Sequence, residues 1–317
     1  MTLKLIQSTG FNSRLTNLGA TSNIGGEITI NTVNFEKRNF GWQTNLTISH
    51  NRQMVEDIGQ EEYVSVMSGS GYMMYGYKKD YPLNSLWGFE YAGVFHDIDE
   101  VTENFTSKSY VNDVSVAADD QASHHKLVGR AKYIDQDHDG ALSTDDLVYL
   151  GNADPIVFGG LQNTFNLYGF KLGVYLAYSL GGKIYNYSEL LMSGGKYTNQ
   201  YAYMTDAWHP VRNPESDIPR AGIGKANVPS SFQVHDASYL RLKTVNLSYT
   251  FDFTKLRRSF VRSLSIGVTG ENLWLWTKYN GFDPDVSSSS DTSTIRRADV
   301  GAYPRARQVV ANLQIRF

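Results

Sequence analysis

The run Asp135-Gln136-Asp137-His138-Asp139-Gly140-Ala141-Leu142-Ser143-Thr144-Asp145-Asp146 has the types and spacing of a twelve-residue calcium loop. Carboxylates stand at positions one, three and five, Asp135, Asp137 and Asp139, where short acidic side chains can converge on one hard cation. Gly140 at position six permits the sharp turn such a loop needs. Ala141 at seven would lend a backbone carbonyl, and Ser143 at nine a further oxygen. Asp146 closes the loop where a glutamate is usual, so its bidentate reach is shorter. The flanking stretches, 129–134 and 147–150, read as strand or short helix, which makes this a single loop rather than a helix–loop–helix pair. An acidic turn holding no ion is the alternative reading of the same residues.

Other chemistry-bearing groups are thinner. His124 and His125 are adjacent, so a strand would send them to opposite faces, and they read as solvated loop residues. His50, His96, His209 and His235 lack the spacing of a zinc-binding helix, and Asp97, Asp99 and Glu100 read as a solvated turn. No nucleophile elbow, phosphate loop or dinucleotide fingerprint occurs, so no catalytic residue is assigned and the chain is read as not an enzyme. Two aromatic clusters, with Tyr72, Tyr75, Tyr77 and Tyr81 in one and Tyr197, Tyr201, Tyr203 and Trp208 in the other, offer flat faces and hydroxyls suited to sugar rings. The same residues could equally pack the loops together.

The elements that must position these groups are strands. In 317 residues only 19% are charged, below the about 25% of ordinary soluble domains, while aromatics reach 13% with 21 Tyr, and 28 Gly stand against 8 Pro. The net charge of -3 and the lack of a basic stripe exclude nucleic acid as a partner. The absence of cysteine permits export to an oxidising compartment without requiring it. The first residues lack the apolar core of a signal peptide, and no run approaches the about 20 apolar residues of a spanning helix. If the chain meets a membrane, it does so with strands.

Alternation of period two over roughly ten residues, the pattern of a transmembrane strand, recurs along the chain. Phe170, Leu172, Val174, Leu176, Tyr178 and Leu180 share one face, with Lys171, Gly173, Tyr175, Ala177 and Ser179 on the other. Phe165 and Leu167 lead into this segment through Tyr168-Gly169, a tight-turn signal. Similar faces are Ile28 and Ile30; Trp42, Leu46 and Ile48; Val245, Leu247, Tyr249 and Phe251; and Leu264, Ile266 and Val268. About ten strands are expected, with short links (Glu36–Phe40, Tyr168–Gly169, Asp252–Arg258) alternating with long ones (Asn51–Ser85, Asp97–Lys126, Tyr185–Ser230, Asn280–Ala302). That alternation suits a membrane barrel, though period two also builds soluble sandwiches. Trp42, Trp87, Trp274, Trp276, Tyr249 and Phe251, near strand ends, fit an interfacial girdle. The last apolar row, Val309, Ala311, Leu313, Ile315 and Phe317, ends in a phenylalanine like the signal read by the barrel assembly machinery of outer membranes.

A series of short segments carries a more specific likeness. They include Asn17-Leu18-Gly19, Trp87-Gly88-Phe89-Glu90-Tyr91-Ala92-Gly93-Val94-Phe95, Leu150-Gly151-Asn152-Ala153-Asp154-Pro155 and Ala207-Trp208-His209-Pro210. Ile218-Pro219-Arg220-Ala221, Asp236-Ala237-Ser238-Tyr239-Leu240-Arg241-Leu242-Lys243, Gly270-Glu271-Asn272-Leu273 and Tyr303-Pro304-Arg305 follow. In this order and spacing, over residues 1–317, the chain resembles the C-terminal part of SusC/RagA-family TonB-dependent outer-membrane receptors. The resemblance implies an all-β antiparallel segment of a transmembrane barrel of about 22 strands with long extracellular loops. It also implies import of glycan or peptide oligomers, energised through the TonB complex, under a SusD-like lipoprotein lid. Signal peptide, TonB box, plug and earlier strands would then lie outside this sequence, and Met1 inside a longer reading frame. A soluble or surface-attached calcium-dependent carbohydrate-binding β protein is the alternative.

Overall fold

The computed structural model describes residues 2–4, 13–15, 19–59, 64–69, 72–104, 125–139, 142–193, 199–221, 228–254, 260–286 and 297–317. Two short strands, β1 (Thr2–Lys4) and β2 (Ser13–Leu15), precede the first long pair, β3 (Ala20–Lys37) and β4 (Phe40–Asp57). The chain then makes an excursion through β5 (Val64–Gly69), β6 (Tyr72–Tyr77), β7 (Ser85–Gly88), β8 (Tyr91–Val94), α1 (Ile98–Asn104), β9 (Ala131–Tyr133) and β10 (Val148–Asn152). It returns as the hairpin β11 (Val157–Leu167) and β12 (Phe170–Leu180). A second excursion holds β13 (Lys183–Asn186), α2 (Tyr187–Met192) and β14 (Val234–Asp236). The pair β15 (Tyr239–Asp252) and β16 (Ser263–Thr277) follows, and a third excursion with β17 (Ala298–Asp299) leads to β18 (Gln308–Arg316).

Seven of these strands form one antiparallel meander in the order β18-β16-β15-β12-β11-β4-β3. Of the about ten strands expected, seven therefore make the wall among the described residues, and the others belong to small sheets in the excursions. The short turns all lie at one end. Tyr168 and Gly169 both have positive φ, 48° and 90°, as a two-residue hairpin whose twist matches its strands requires. The β15–β16 turn is closed by the Phe253 amide on the Arg262 carbonyl, and the Arg262 amide in turn donates to Arg316 at the end of β18. The excursions leave from the opposite end.

The register turns the period-two pattern into two surfaces. One row across the wall runs Phe165, Leu172, Leu247, Val268, Ala311, and the next runs Thr164, Gly173, Asn246, Thr269. Among the described residues no second layer covers the apolar surface: Leu247 is 48% exposed, Val268 48% and Trp274 54%. Water would penalise such a face by about 25 cal/mol for every Å² left uncovered, so its natural contact is with hydrocarbon. Aromatic side chains mark both margins. Phe35, Phe40, Trp42, Phe165, Phe170, Tyr249 and Phe251 lie near the short turns, with Trp42 stacked on Phe165 at 5.7 Å. Trp274 and Trp276 lie towards the other end. Ten register steps separate the Phe251–Leu264 pair from the Leu240–Trp276 pair. At about 3.4 Å per step and a tilt of about 40°, that spans about 26 Å, close to the about 25 Å apolar band of outer-membrane barrels. Trp87 departs from the expected girdle: it is 4% exposed and packs against Tyr81 and Tyr149 within the first excursion.

The packed core lies in the excursions rather than in the wall. Tyr75, Leu86, Ala153, Tyr185 and Ala298 draw all three excursions together. Phe89, Ala131, Tyr133, Leu142 and Val228 form a second cluster. Each wall strand has one apolar and one polar face, and among the described residues the apolar face packs against no second layer. Truncating the fully buried Phe89 to alanine would cost about 3–5 kcal/mol, whereas an exposed wall residue offers no such cavity.

Candidate functional site

A β-bulge decides which side chains reach the inner face. Lys243 is skipped between the pairings of Leu242 and Thr244, while β16 accommodates the mismatch by looping out Asn272, with φ 52°, and Leu273. Beyond the bulge the parity of β15 changes, so Arg241 stands opposite Ala177 and Tyr239 opposite Ser179 on the polar side. One inner row then crosses five strands: Glu27, Ser49, Phe158, Ser179 and Tyr239. These residues and the third excursion's Arg297 and Arg305 line an open cavity of about 830 Å³ on the polar face.

Charge pairs fix its rim. The Arg241 guanidinium donates to the Asp283 carboxylate at 2.6 Å with both groups buried. The other Asp283 oxygen lies 3.7 Å from Arg305 Nε, and Arg305 Nη2 reaches Asp285 at 2.7 Å. Arg297, with φ 55°, donates to the Gly181 carbonyl and the Ser179 hydroxyl, and burial holds its guanidinium below the usual arginine range. The third excursion is thus bound to the wall by arginines from both sides. Behind the cavity, the buried Glu189 meets His235 Nε2 at 2.5 Å and Asn280 at 3.5 Å, while the Tyr279 hydroxyl donates to Asp299 at 2.7 Å. Of these, the Glu189–Asn280 contact joins the second and third excursions, and the other two brace each excursion internally.

The acidic loop lies between β9 and β10, so both flanks, 129–134 and 147–150, contain strand, while Thr144–Asp146 forms a single short turn inside the loop itself. Asp135, Asp137 and Asp139 converge, each offering an oxygen within 4.8 Å of the others. Oxygens about 2.3–2.6 Å from one calcium ion stand up to about 5 Å apart, so this spacing can enclose the ion. The loop is ordered by its own amides: His138 donates to Asp135 and Asp139 to Asp137, and His138 adopts φ 58°. The amide of Asp139 draws the Asp137 carboxyl down, but desolvation and the charges of Asp139 and Asp146 outweigh it and leave its pKa raised. Asp146 stands apart from the three. It is fully buried, and its two oxygens accept the Gln136 and Ser143 amides, which ties the loop ends together. The Ser143 hydroxyl caps the turn by accepting the Asp145 amide. Asp146 and Ser143 therefore hold the loop's shape rather than joining the convergent oxygens in this arrangement. Ala141 falls outside the described residues.

The aromatic candidates divide. Tyr75 is buried and its hydroxyl donates to the Arg297 carbonyl, and Trp208 is buried against Gly129. Both are packing residues here, which removes them from an accessible contact surface. Tyr77 is half-buried, and the side chain of Tyr72 lies outside the described residues. Tyr201 and Tyr203 stack at 5.6 Å and remain half-buried, with the Tyr201 hydroxyl bonded to Asn186. Phe317 sits at the short-turn end, 63% exposed, with its ring 5.1 Å from that of Phe260. The inner-face arginines were not singled out from sequence. Arg305 and Arg241 stand in quoted segments, but nothing local announces that a bulge turns Arg241 inward.

No family model matches the chain. Comparison with curated proteins gives TonB-dependent receptor P26 of Formosa agariphila at 31% identity, over 98% of this chain and 30% of that receptor. TonB-dependent receptor P3 of the same organism is 27% identical over 99% of this chain and 30% of the relative. TonB-dependent receptor SusC of Bacteroides thetaiotaomicron is 23% identical over 99% of this chain and 28% of its own length. The chain thus spans about a third of the length of the curated relatives it matches. Among solved structures, the RagAB peptide transporter superposes with a TM-score of 0.73 at 20% identity, over 99% of this chain and 31% of that one. The fold is therefore that of a stretch of such a barrel.

Proposed function

Because the chain is homologous along nearly its whole length to SusC-type TonB-dependent receptors, we propose that it supplies later strands of an outer-membrane importer for oligomeric nutrients. The observation that carries this reading is the wall itself, apolar and uncovered on one face and polar on the other, with aromatic margins about 26 Å apart. In this reading the inner row from Glu27 to Tyr239 lines the passage and the excursions face the outside. The cargo is a glycan or peptide oligomer, a SusD-like lipoprotein closes over the excursions, and energy comes through TonB. The exposed apolar strand β18, up to Phe317, is what the barrel assembly machinery would read. Calcium in the Asp135–Asp139 cluster would stiffen the first excursion, and calcium outside cells is abundant enough to fill a weak site. The uncovered apolar wall argues against the soluble carbohydrate-binding alternative, whose apolar face would be buried.

The test is uptake. Removing the gene should abolish energy-dependent uptake of its oligomer. Ala177→Trp, placed in the cavity wall between Gly160 and Arg241, should slow uptake at unchanged membrane level. Undiminished uptake of every oligomer tested after gene removal would refute the reading, as would purified protein that stays dispersed without detergent.

A further inference from the structure

A second cavity, of about 490 Å³, lies away from the wall, between the turn at residues 125–130 and the stretch Ala202–Ala221. Its frame is fixed by backbone bonds: the Arg220 amide donates to the Gly129 carbonyl at 2.8 Å and the Trp208 amide to Ile218 at 2.8 Å. Gly129 has φ 79°, and a Cβ there would come within 2.3 Å of the Trp208 ring, so the indole is seated directly on the turn.

The charged and ionisable groups lining this cavity are of one kind. Arg212, Arg220, His125 and His209 line it beside the uncharged Thr205 and Asn213, and no carboxylate occurs among the described lining residues. His209 Nδ1 accepts the amides of Val211 and Arg212, which leaves Nε2 to carry the proton and donate. The Trp208 indole nitrogen is buried and meets no acceptor among the described residues. Arg220 donates to the Lys126 carbonyl, and neither it nor Arg212 forms an ion pair with any described carboxylate. Asp217, close in sequence, is engaged with His96 instead. Burial lowers the Arg220 pKa with no opposing charge to offset it. A half-buried guanidinium without a counter-charge is costly, and cationic and N–H donors gathered with no carboxylate among them are the usual complement of an anion.

We infer that this cavity binds one oxyanion group, a carboxylate or sulfate, with Arg220 and Arg212 as its main charge partners and His209 as a further donor. The group is either a free ion or an acidic substituent carried on a sugar. If it is the latter, the cavity selects acidic oligomers for the importer, and that extension alone rests on the proposed transport. Binding is measured without uptake, so either idea can fail while the other stands.

The experiment is isothermal titration of the detergent-extracted protein with inorganic sulfate, with glucuronate, and with glucose as the uncharged control. Sulfate or glucuronate should bind at least roughly ten-fold more tightly than glucose, in keeping with hydrogen bonds to a charged group. Glucuronate tighter than sulfate identifies a sugar-borne acid, and the reverse order a free ion; both support an oxyanion site. Arg220→Gln and Arg212→Gln should each weaken anion binding by roughly ten-fold and leave glucose unchanged. Arg212 is exposed and its side chain makes no described contact, so its variant tests the charge even if Arg220→Gln disturbs the turn. Equal binding of all three compounds, or anion binding unchanged in Arg212→Gln and Arg220→Gln alike, overturns the inference.

Discussion

Leu247→Arg is the most direct test of which face of the wall meets lipid. Leu247 pairs with Leu172 and Val268 on the apolar surface, four register steps from the Phe251 margin. At about 3.4 Å per step and about 40° tilt it lies about 10 Å inside a band about 26 Å tall, near the midplane. An arginine there should cost about 2–4 kcal/mol, whereas the same change at Phe251, in the margin, should cost about 0–1 kcal/mol. Thr244→Arg is the companion. It faces inward between Tyr175 and Glu271, so its charge meets water and a carboxylate, and its effect should stay within about 0.5 kcal/mol. The assay is urea unfolding of the protein refolded into lipid vesicles, followed by tryptophan fluorescence, with the three variants compared at equal lipid ratio. The expected order of destabilisation is Leu247→Arg, then Phe251→Arg, then Thr244→Arg. Equal costs at Leu247 and Thr244, or a larger cost at Thr244, would refute the assignment of faces. A Leu247→Arg protein that became soluble without detergent would refute the membrane setting itself.

Four further expectations follow from individual contacts. Burial raises the Glu100 carboxyl, but hydrogen bonds from Lys132 and the His96 amide outweigh it and hold its pKa below the ordinary 4.5. The tether of α1 to β9 should therefore be intact above about pH 4.5 and be lost as pH falls through that lowered value, a change that Glu100→Gln should remove from amide-exchange profiles of residues 96–101. In the acidic loop the raised Asp137 carboxyl retains its proton to higher pH than an ordinary aspartate, so calcium affinity should fall with acidification earlier than usual, and Asp137→Asn should weaken terbium-sensitised luminescence by roughly ten-fold. Arg241→Met leaves Asp283 buried beside only a half-exposed Arg305, and should destabilise the third excursion by about 3–5 kcal/mol in local exchange, most of it recovered in Arg241→Met/Asp283→Leu. Phe317→Asp should lower outer-membrane abundance several-fold on quantitative blots, with messenger level unchanged.

The wall was legible because a sheet with one apolar and one polar face imposes a simple rule on each strand. Phe170 to Leu180 and Val245 to Phe251 alternate without interruption, and the register places both series on one face, as read. The Tyr168-Gly169 turn was equally legible, since few residue pairs accept positive φ twice in succession. Legibility ended where the chain departs from period two. The bulge at Lys243 exchanges the faces of β15, so Arg241 and Tyr239 reach the interior although strict parity from Val245 would send them outward. The strand β4 runs on to Asp57, beyond the expected break at Asn51, because Asn51, Arg52 and Gln53 still pair with Gly25, Ile24 and Asn23. A polar sequence there marks the end of the apolar face, not the end of pairing.

The aromatic loops show a different obstacle, and it bears on where selectivity lies. A tyrosine or tryptophan is chosen alike for a ligand platform and for a core that must also satisfy a polar tip, and sequence does not separate the two. Tyr75, Trp87 and Trp208 turned out to be core, while Tyr201 and Tyr203 keep a partly open stacked face. The wall contributes little packing of its own, yet the excursions contain four buried apolar clusters and cross-links such as Glu189–His235 and Arg241–Asp283. Loops that merely joined strands would have no need of that interior. A rigid interior lets exposed groups hold fixed positions, which is the condition for discriminating one oligomer from another. The arginine- and histidine-lined cavity around Arg220 is built on this framework, with its turn anchored at Gly129 and its arginines paired with no described carboxylate. Under the import function proposed above, selectivity is expected to follow substitutions in the excursions, and passage to follow substitutions on the inner row. A variant such as Arg212→Gln should change which oligomers bind without changing how the wall inserts.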